Sequence, residues 1–176
     1  MYEMYSDHFI NTSESFHTAL SQIISCMLKH GTTSKLINKA IIKPIPKDKQ
    51  KSLSDSSNYR AISKNSIISK IIDYVIIQLI DEKMATSAYQ FGYKEKFSTS
   101  LCSFLVSETI QYYRSNDSKV YMTLLDCSKA FDKIQHTKLF RTLIGRNICP
   151  AIIRLIMNSY ILSTSLVKWN NCCNTV

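Results

Sequence analysis

An apolar run, Val120-Tyr121-Met122-Thr123-Leu124-Leu125, ends in the carboxylate of Asp126. Cys127-Ser128-Lys129-Ala130 then leads to an aromatic, Phe131, and a second acid, Asp132. A hard oxygen ligand held at the end of a buried strand is what one side of a metal-dependent phosphoryl-transfer site requires. The plain structural role for Asp126 is a helix N-cap after the strand. A second chemical signal is charge. Lys and Arg number 22 against 13 Asp and Glu, a formal net charge of +9. Nearly all of the excess lies between positions 29 and 70, where ten cations meet only Asp48 and Asp55. A local positive field favours a polyanion such as nucleic acid or nucleotide. Charge alone leaves that reading level with a solvated lysine-rich loop.

Elements must hold these residues in place. From Ala19, the residues Leu20, Ile23, Ile24, Met27 and Leu28 follow helical spacing, with Gly31 as a C-terminal cap. Ala40 to Ile45 is short and β-branched and is bounded by Pro44 and Pro46. It predicts a strand that ends at an edge or a loop. Residues 47–58 are rich in Lys, Ser and Asp and fit a mobile loop. Apolar residues recur in pairs four apart from Ile67 to Ile80, the stripe of a core-packed helix. Ser98 is placed to cap a helix carrying Leu101, Phe104, Leu105 and Tyr112. Lys119 to Asp126 reads as a buried strand. Two further helices are expected near 136–145 and 150–162, the second with Pro150 in its first turn, then a short strand over Leu166–Trp169. Residues 1–12 show no period.

The six cysteines form no C-x-x-C pair and do not cluster with the four histidines, which argues against zinc and against a disulfide framework. They read as core residues of a reduced, intracellular protein, in the cytoplasm or nucleus. No signal peptide is visible. The richest apolar stretch, Ile67 to Ile80, contains Lys70 and Asp73 and is too short to span a bilayer, so no membrane association is expected.

Four segments follow in order: Ile42-Lys43-Pro44-Ile45-Pro46-Lys47, Ser57-Asn58-Tyr59-Arg60-Ala61-Ile62-Ser63, Gln90-Phe91-Gly92-Tyr93-Lys94 with Ser98-Thr99, and the Asp126 segment. In this order and spacing they resemble the reverse transcriptase domain of non-long-terminal-repeat (LINE-type) retrotransposons, a class of transposable element. That family's pattern is roughly I-P-K, N-Y-R-P-I-S, Q-x-G-F-R and L-D-F-S-K-A-F-D. Val167-Lys168-Trp169-Asn170-Asn171 is similar to its V-x-W-N-G stretch.

The resemblance covers about residues 20–176. It implies an α+β fold, the fingers and partial palm of a right-hand polymerase, helix-rich with a small incomplete antiparallel sheet. Residues 1–18 would be an N-terminal extension, 19–115 the fingers and 116–176 the start of the palm. It also implies RNA-directed DNA polymerase (nucleotidyltransferase) activity by a two-metal mechanism. Mg2+ would be the cofactor, and an RNA template, a DNA primer and deoxynucleoside triphosphates the partners.

By the same resemblance Asp126 is a catalytic metal ligand, joined by the backbone carbonyl of Cys127. Lys129 and Ala130 present N–H groups to the triphosphate, and Phe131 excludes a 2′-hydroxyl. Arg60 and Lys47 bind the nucleotide, a task suited to a permanently charged, bidentate guanidinium. Gln90, Gly92, Tyr93 and Lys94 line the template path. Departures from the family pattern fall at Ala61, at Tyr93–Phe97, at Cys127 and at Gln135.

A two-metal site needs at least two placed carboxylates, and the family supplies others from an Ala-Asp-Asp hairpin. No Asp or Glu follows Asp132, and the chain ends just before the family's P-Q-G segment. The expectation is a fragment, catalytically incomplete alone. The alternative is a non-catalytic basic nucleic-acid-binding module.

Overall fold

A computed structural model describes residues 6–169 and 172–175. They fall into two compact units, one built from the residues up to Lys83 together with those from Thr137 onward, the other from Met84–His136.

The first unit opens with a short helix α1 (Ser6–Ile10) and a long one, α2 (Glu14–His30). Gly31 ends α2 at φ 64°, and its N–H returns to the Met27 carbonyl. That left-handed geometry is open to glycine at little steric penalty. The cap is also crowded: a Cβ on Gly31 would lie 2.8 Å from the Ala151 carbonyl oxygen. Strand β1 (Lys39–Pro46), strand β2 (Tyr59–Lys64) and helix α3 (Ile67–Ile80) follow, with Ser66 capping α3 through Ser69 N–H. The chain returns to this unit with α5 (His136–Gly145), α6 (Pro150–Ile161), β3 (Thr164–Trp169) and β4 (Cys172–Thr175). The helix expected over 19–30 begins earlier, at Glu14. The helices expected at 67–80, 136–145 and 150–162 form within a residue of their expected ends.

The core is helical. Ile24 and Met27 of α2, Ile72, Ile76 and Ile80 of α3, Leu143 of α5, and Ile153 and Leu155 of α6 form one buried cluster with Ile148. Leu155 is fully buried. Asn158 of α6 donates from Nδ2 to the Gly31 carbonyl at 2.7 Å, which fixes the end of α2 against α6.

The sheet order is β2-β1-β3-β4. β1 runs antiparallel to β2 and parallel to β3, and β3 runs antiparallel to β4. The sheet is therefore mixed rather than purely antiparallel. The parallel pair arises because the long excursion between β1 and β3 lets the chain return in either direction. β1 tolerates two prolines although it lies between neighbours. Lys47 N–H donates to the Asn58 carbonyl at 2.6 Å, so alternate positions Ile45 and Lys43 also face β2. Pro44 and Pro46 therefore present their missing N–H away from β2. On that side the pairing with β3 is registered only as far as Ile42.

The second unit contains α4 (Thr99–Ser115), which Ser98 caps through Leu101 N–H at 3.1 Å. None of its residues is buried. The strand expected over Lys119–Asp126 is not formed: the stretch has no ladder partner among the described residues, and Leu124 and Leu125 are 87% and 93% exposed. An apolar run becomes a buried strand only where neighbours take up its backbone groups and cover both faces. The cysteines depart from expectation too. Cys26, Cys127 and Cys149 are exposed and Cys102 is partly so, because they sit on an outer helix face, an irregular segment and a helix entry. The side chains of Cys172 and Cys173 lie outside the described residues, as do Asn170 and Asn171. Among the described residues no helix is long and apolar enough to cross a membrane.

Candidate functional site

The first unit brings together three of the segments noted in the sequence. Ile42–Lys47 and Asn58–Ser63 pair along the β1–β2 ladder, and Val167–Trp169 lies in β3 on the other side of β1. The rings of Tyr59 and Trp169, far apart in sequence, meet at 5.1 Å between centroids.

The loop between β1 and β2 is tied down rather than loose. Asn58 is the buried polar residue at its base, 5% exposed. Its Nδ2 donates to the carbonyls of Asp48 (2.8 Å) and Ser52 (3.3 Å), and its Oδ1 accepts from Asp48 N–H at 3.2 Å. Tyr59 Oη donates to the Leu53 carbonyl, and Asp55 accepts from both the amide and the hydroxyl of Ser57. Those Ser57 bonds hold the Asp55 carboxyl below its ordinary range, with Lys47 adding a smaller attraction. This closure went unread in the sequence, where composition alone suggested mobility. The available signal was Asn58 itself, whose amide can donate and accept at one turn.

Lys47 and Arg60 sit at the two ends of this loop. Lys47 Nζ donates to the Ser57 carbonyl at 2.8 Å. Arg60 is exposed on β2 opposite Ile45, and its side chain has no hydrogen-bond partner among the described residues. Its guanidinium is thus available to a phosphate.

The remaining candidates belong to the second unit. Gln90 Nε2 donates to the Gly92 carbonyl at 3.2 Å. Lys94 Nζ donates to the Ser87 carbonyl at 2.9 Å and stands 5.1 Å from the centre of the Phe97 ring. Phe97 meets Phe91 edge-on at 5.3 Å. Lys94 therefore has a local structural task. Tyr93 is 93% exposed at φ 59°, and Lys96 also has positive φ. Both fall where the sequence departs from the resembled pattern. A Cβ at Gly92 would meet nothing within 4 Å, and its φ is not left-handed, so nothing in the protein requires glycine there.

Asp126, Cys127, Lys129, Ala130 and Phe131 lie together in one exposed turn segment, with Phe131 73% exposed. Lys129 adopts φ 52°, which bends the chain so that its carbonyl accepts Lys133 N–H at 3.2 Å. Lys133 Nζ reaches Ser128 Oγ at 3.3 Å. Asp126 itself has no partner among the described residues. Its carboxylate and the Cys127 carbonyl are hard oxygen donors of the kind Mg2+ takes. Yet no three His, Cys, Asp or Glu side chains come together among the described residues to hold a metal ion. The donor chemistry suits the metal, but the donor set is too small to make the site.

The family model for reverse transcriptase (RNA-dependent DNA polymerase) matches residues 45–175. The chain belongs to the reverse transcriptase family. The match begins inside β1 and includes Lys47, Arg60, both second-unit segments and β3. Membership in the reverse transcriptase family suggests RNA-directed DNA polymerase activity and implies a nucleic-acid template and nucleotide substrates. Reverse transcriptases generally use divalent metal ions. No curated protein matches the sequence significantly.

Proposed function

We propose that this chain is the front part of a LINE-type reverse transcriptase domain, fingers with the beginning of the palm, which in the complete domain joins deoxynucleotides to a primer on an RNA template. The observation that carries the reading is the family match over residues 45–175, coinciding with the ordered motifs from Ile42 to Trp169. The fingers are assigned to about 19–115 and the palm to the residues beyond.

In this reading Asp126 and the Cys127 carbonyl contribute one edge of a Mg2+ site. Arg60 grips the triphosphate bidentately, and Lys47 adds charge. The turn at Lys129 and Ala130 offers backbone N–H groups to phosphate oxygens. Phe131 sets a flat ring against the sugar. Gln90, Gly92, Tyr93 and Lys94 border the template.

Among the described residues no cluster of carboxylates gathers with Asp126 to hold two metals, and the polypeptide by itself is expected to be inactive. The test is primer extension on an RNA template with magnesium, by the chain alone and by the chain joined to a segment bearing the Ala-Asp-Asp hairpin. No extension is expected from the first and Asp126-dependent extension from the second. Extension by the chain alone that Asp126→Ala abolishes would refute the incompleteness. Extension by the joined protein that survives Asp126→Ala would refute the ligand role.

A further inference from the structure

A polar cleft of about 240 Å³ opens within the first unit. Asn38, just before β1, and Asn65, between β2 and α3, line it together with Ser69 and Asp73 of α3 and Ser159 and Tyr160 of α6. None of these residues is assigned to nucleotide, metal or template. Asp73 is the one charged side chain lining the cleft among the described residues. It makes no hydrogen bond or ion pair among them, even with Lys70 one turn earlier on α3. Desolvation holds its carboxyl above the ordinary range, and no cation of the protein offsets that shift. The side chain keeps access to water at the mouth of the cleft, so a ligand can reach it.

The neighbours of Asp73 mainly offer acceptors. Ser159 Oγ donates its proton to the Leu155 carbonyl at 3.0 Å, which leaves it only lone pairs for a ligand. Asn38 Nδ2 donates to Thr33 Oγ1 at 3.2 Å, and Asn38 Oδ1 stays open. Asn65 Oδ1 accepts only a long bond, 3.4 Å from Ser63 Oγ. The Tyr160 ring adds an aromatic wall. It is 46% exposed, and Phe140 holds it edge-on at 6.0 Å between centroids. One negative charge, several neutral acceptors and an aromatic ring together call for a cation rich in hydrogen-bond donors. An anion would meet a carboxylate and no balancing cation. A divalent metal ion would find a single carboxylate, since no three His, Cys, Asp or Glu side chains gather among the described residues.

We propose that this cleft is a binding site for a guanidinium group, paired with Asp73, hydrogen-bonded to Asn38 and Ser159 and packed against the Tyr160 ring. A guanidinium fits better than an ammonium for two reasons. Its flat fork places parallel N–H donors on both carboxylate oxygens and keeps further donors for the side acceptors. Its weakly hydrated plane also packs on an aromatic ring. The group can come from a small free guanidine compound or from an arginine side chain of another polypeptide. The site needs no metal and no nucleic acid, and the outcome of primer extension leaves it untouched.

The test titrates the full chain with n-butylguanidinium and n-butylammonium, which share a tail and differ in the head group, and with a capped Gly-Arg-Gly peptide. Backbone amide NMR shifts report both affinity and place. Saturable shifts are expected at Asn38, Asp73 and Ser159, with n-butylguanidinium binding more tightly than n-butylammonium. Asp73→Asn should weaken binding about tenfold or more, because it turns a charge-assisted, two-pronged pair into a neutral contact. Folding should survive that change, since it removes a desolvated carboxylate, and circular dichroism checks it. Asp117→Asn removes the same charge from outside the cleft and should leave affinity unchanged. Tighter binding of the peptide than of n-butylguanidinium assigns the site to an arginine of a polypeptide, and the reverse order assigns it to a small guanidine compound. No saturable shift at the cleft overturns the site, as does binding that survives Asp73→Asn or falls equally with Asp117→Asn. Equal affinity for the ammonium overturns the guanidinium assignment.

Discussion

Replacing Asn58 with alanine should unfasten the loop that joins Lys47 to Arg60. The side chain makes three hydrogen bonds at a site only 5% exposed, to Asp48 N–H, the Asp48 carbonyl and the Ser52 carbonyl. A buried polar group left without its partner costs about 1–3 kcal/mol. Three groups lose a partner here, and water entering the exposed loop recovers part of the loss. The net is about 2–3 kcal/mol, or roughly 30- to 140-fold in the local opening equilibrium. Hydrogen exchange reads this directly, because the Asp48 amide is bonded to Asn58 Oδ1 and should lose protection by that factor.

Asn58→Asp sharpens the test. It keeps the acceptor but turns the donor for two carbonyls into a carboxylate oxygen. That carboxyl should titrate above its ordinary range in the folded state. Its stability is then greatest below the unfolded carboxylate pKa and is lost as pH rises through the raised folded value. Urea midpoints should therefore fall between mildly acidic and neutral pH for this variant and not for Asn58→Ala. A loss under about 0.5 kcal/mol for Asn58→Ala would place it among ordinary surface changes and refute the reasoning. So would an equal loss for exposed Asn65→Ala.

Gly31→Ala should destabilise the first unit by about 2–3 kcal/mol, since it combines a left-handed backbone with a Cβ 2.8 Å from the Ala151 carbonyl; urea denaturation measures it. Asp73 shares a polar cleft of about 240 Å³ with Asn38, Asn65, Ser69 and Ser159, and desolvation there pushes its carboxyl above the ordinary range. Its contribution is fullest below the unfolded carboxylate pKa and declines as pH rises through the raised folded value. Asp73→Asn should accordingly raise the melting temperature at neutral pH and have no such effect in acid. Gly92→Ala should leave circular dichroism and melting unchanged, because the space is open, while weakening template binding in a complete domain; a drop in melting temperature would refute the first half.

The helices of this protein were legible in the sequence because their signals are local. The paired isoleucines from Ile67 to Ile80, Ser98 three residues before Leu101, Gly31 after Met27 and Leu28, and Pro150 at a first turn each act within a turn or two of the chain. The same holds for the candidate residues as a roster: the types and order around Lys47, Arg60, Gly92 and Asp126 were enough to point to the family.

What the sequence could not decide depends on contacts between distant residues. The run before Asp126 looks like a strand, but an extended segment is a strand only if partners take its hydrogen bonds, and residue order does not say whether they arrive. The sheet's mixed directions, the Tyr59–Trp169 contact and the closure of the loop by Asn58 are all pairings across chain that local propensity does not specify. A charged face of the sheet is the clearest case. Ten cations between positions 29 and 70 were visible from the start, and they read equally well as a solvated loop. Only the register of β1 against β2 and β3 put four of them, Lys39, Lys43, Arg60 and Lys64, on one side together with Lys168. Side chains alternate along a strand with period two, so a shift of one residue would have scattered them across both faces.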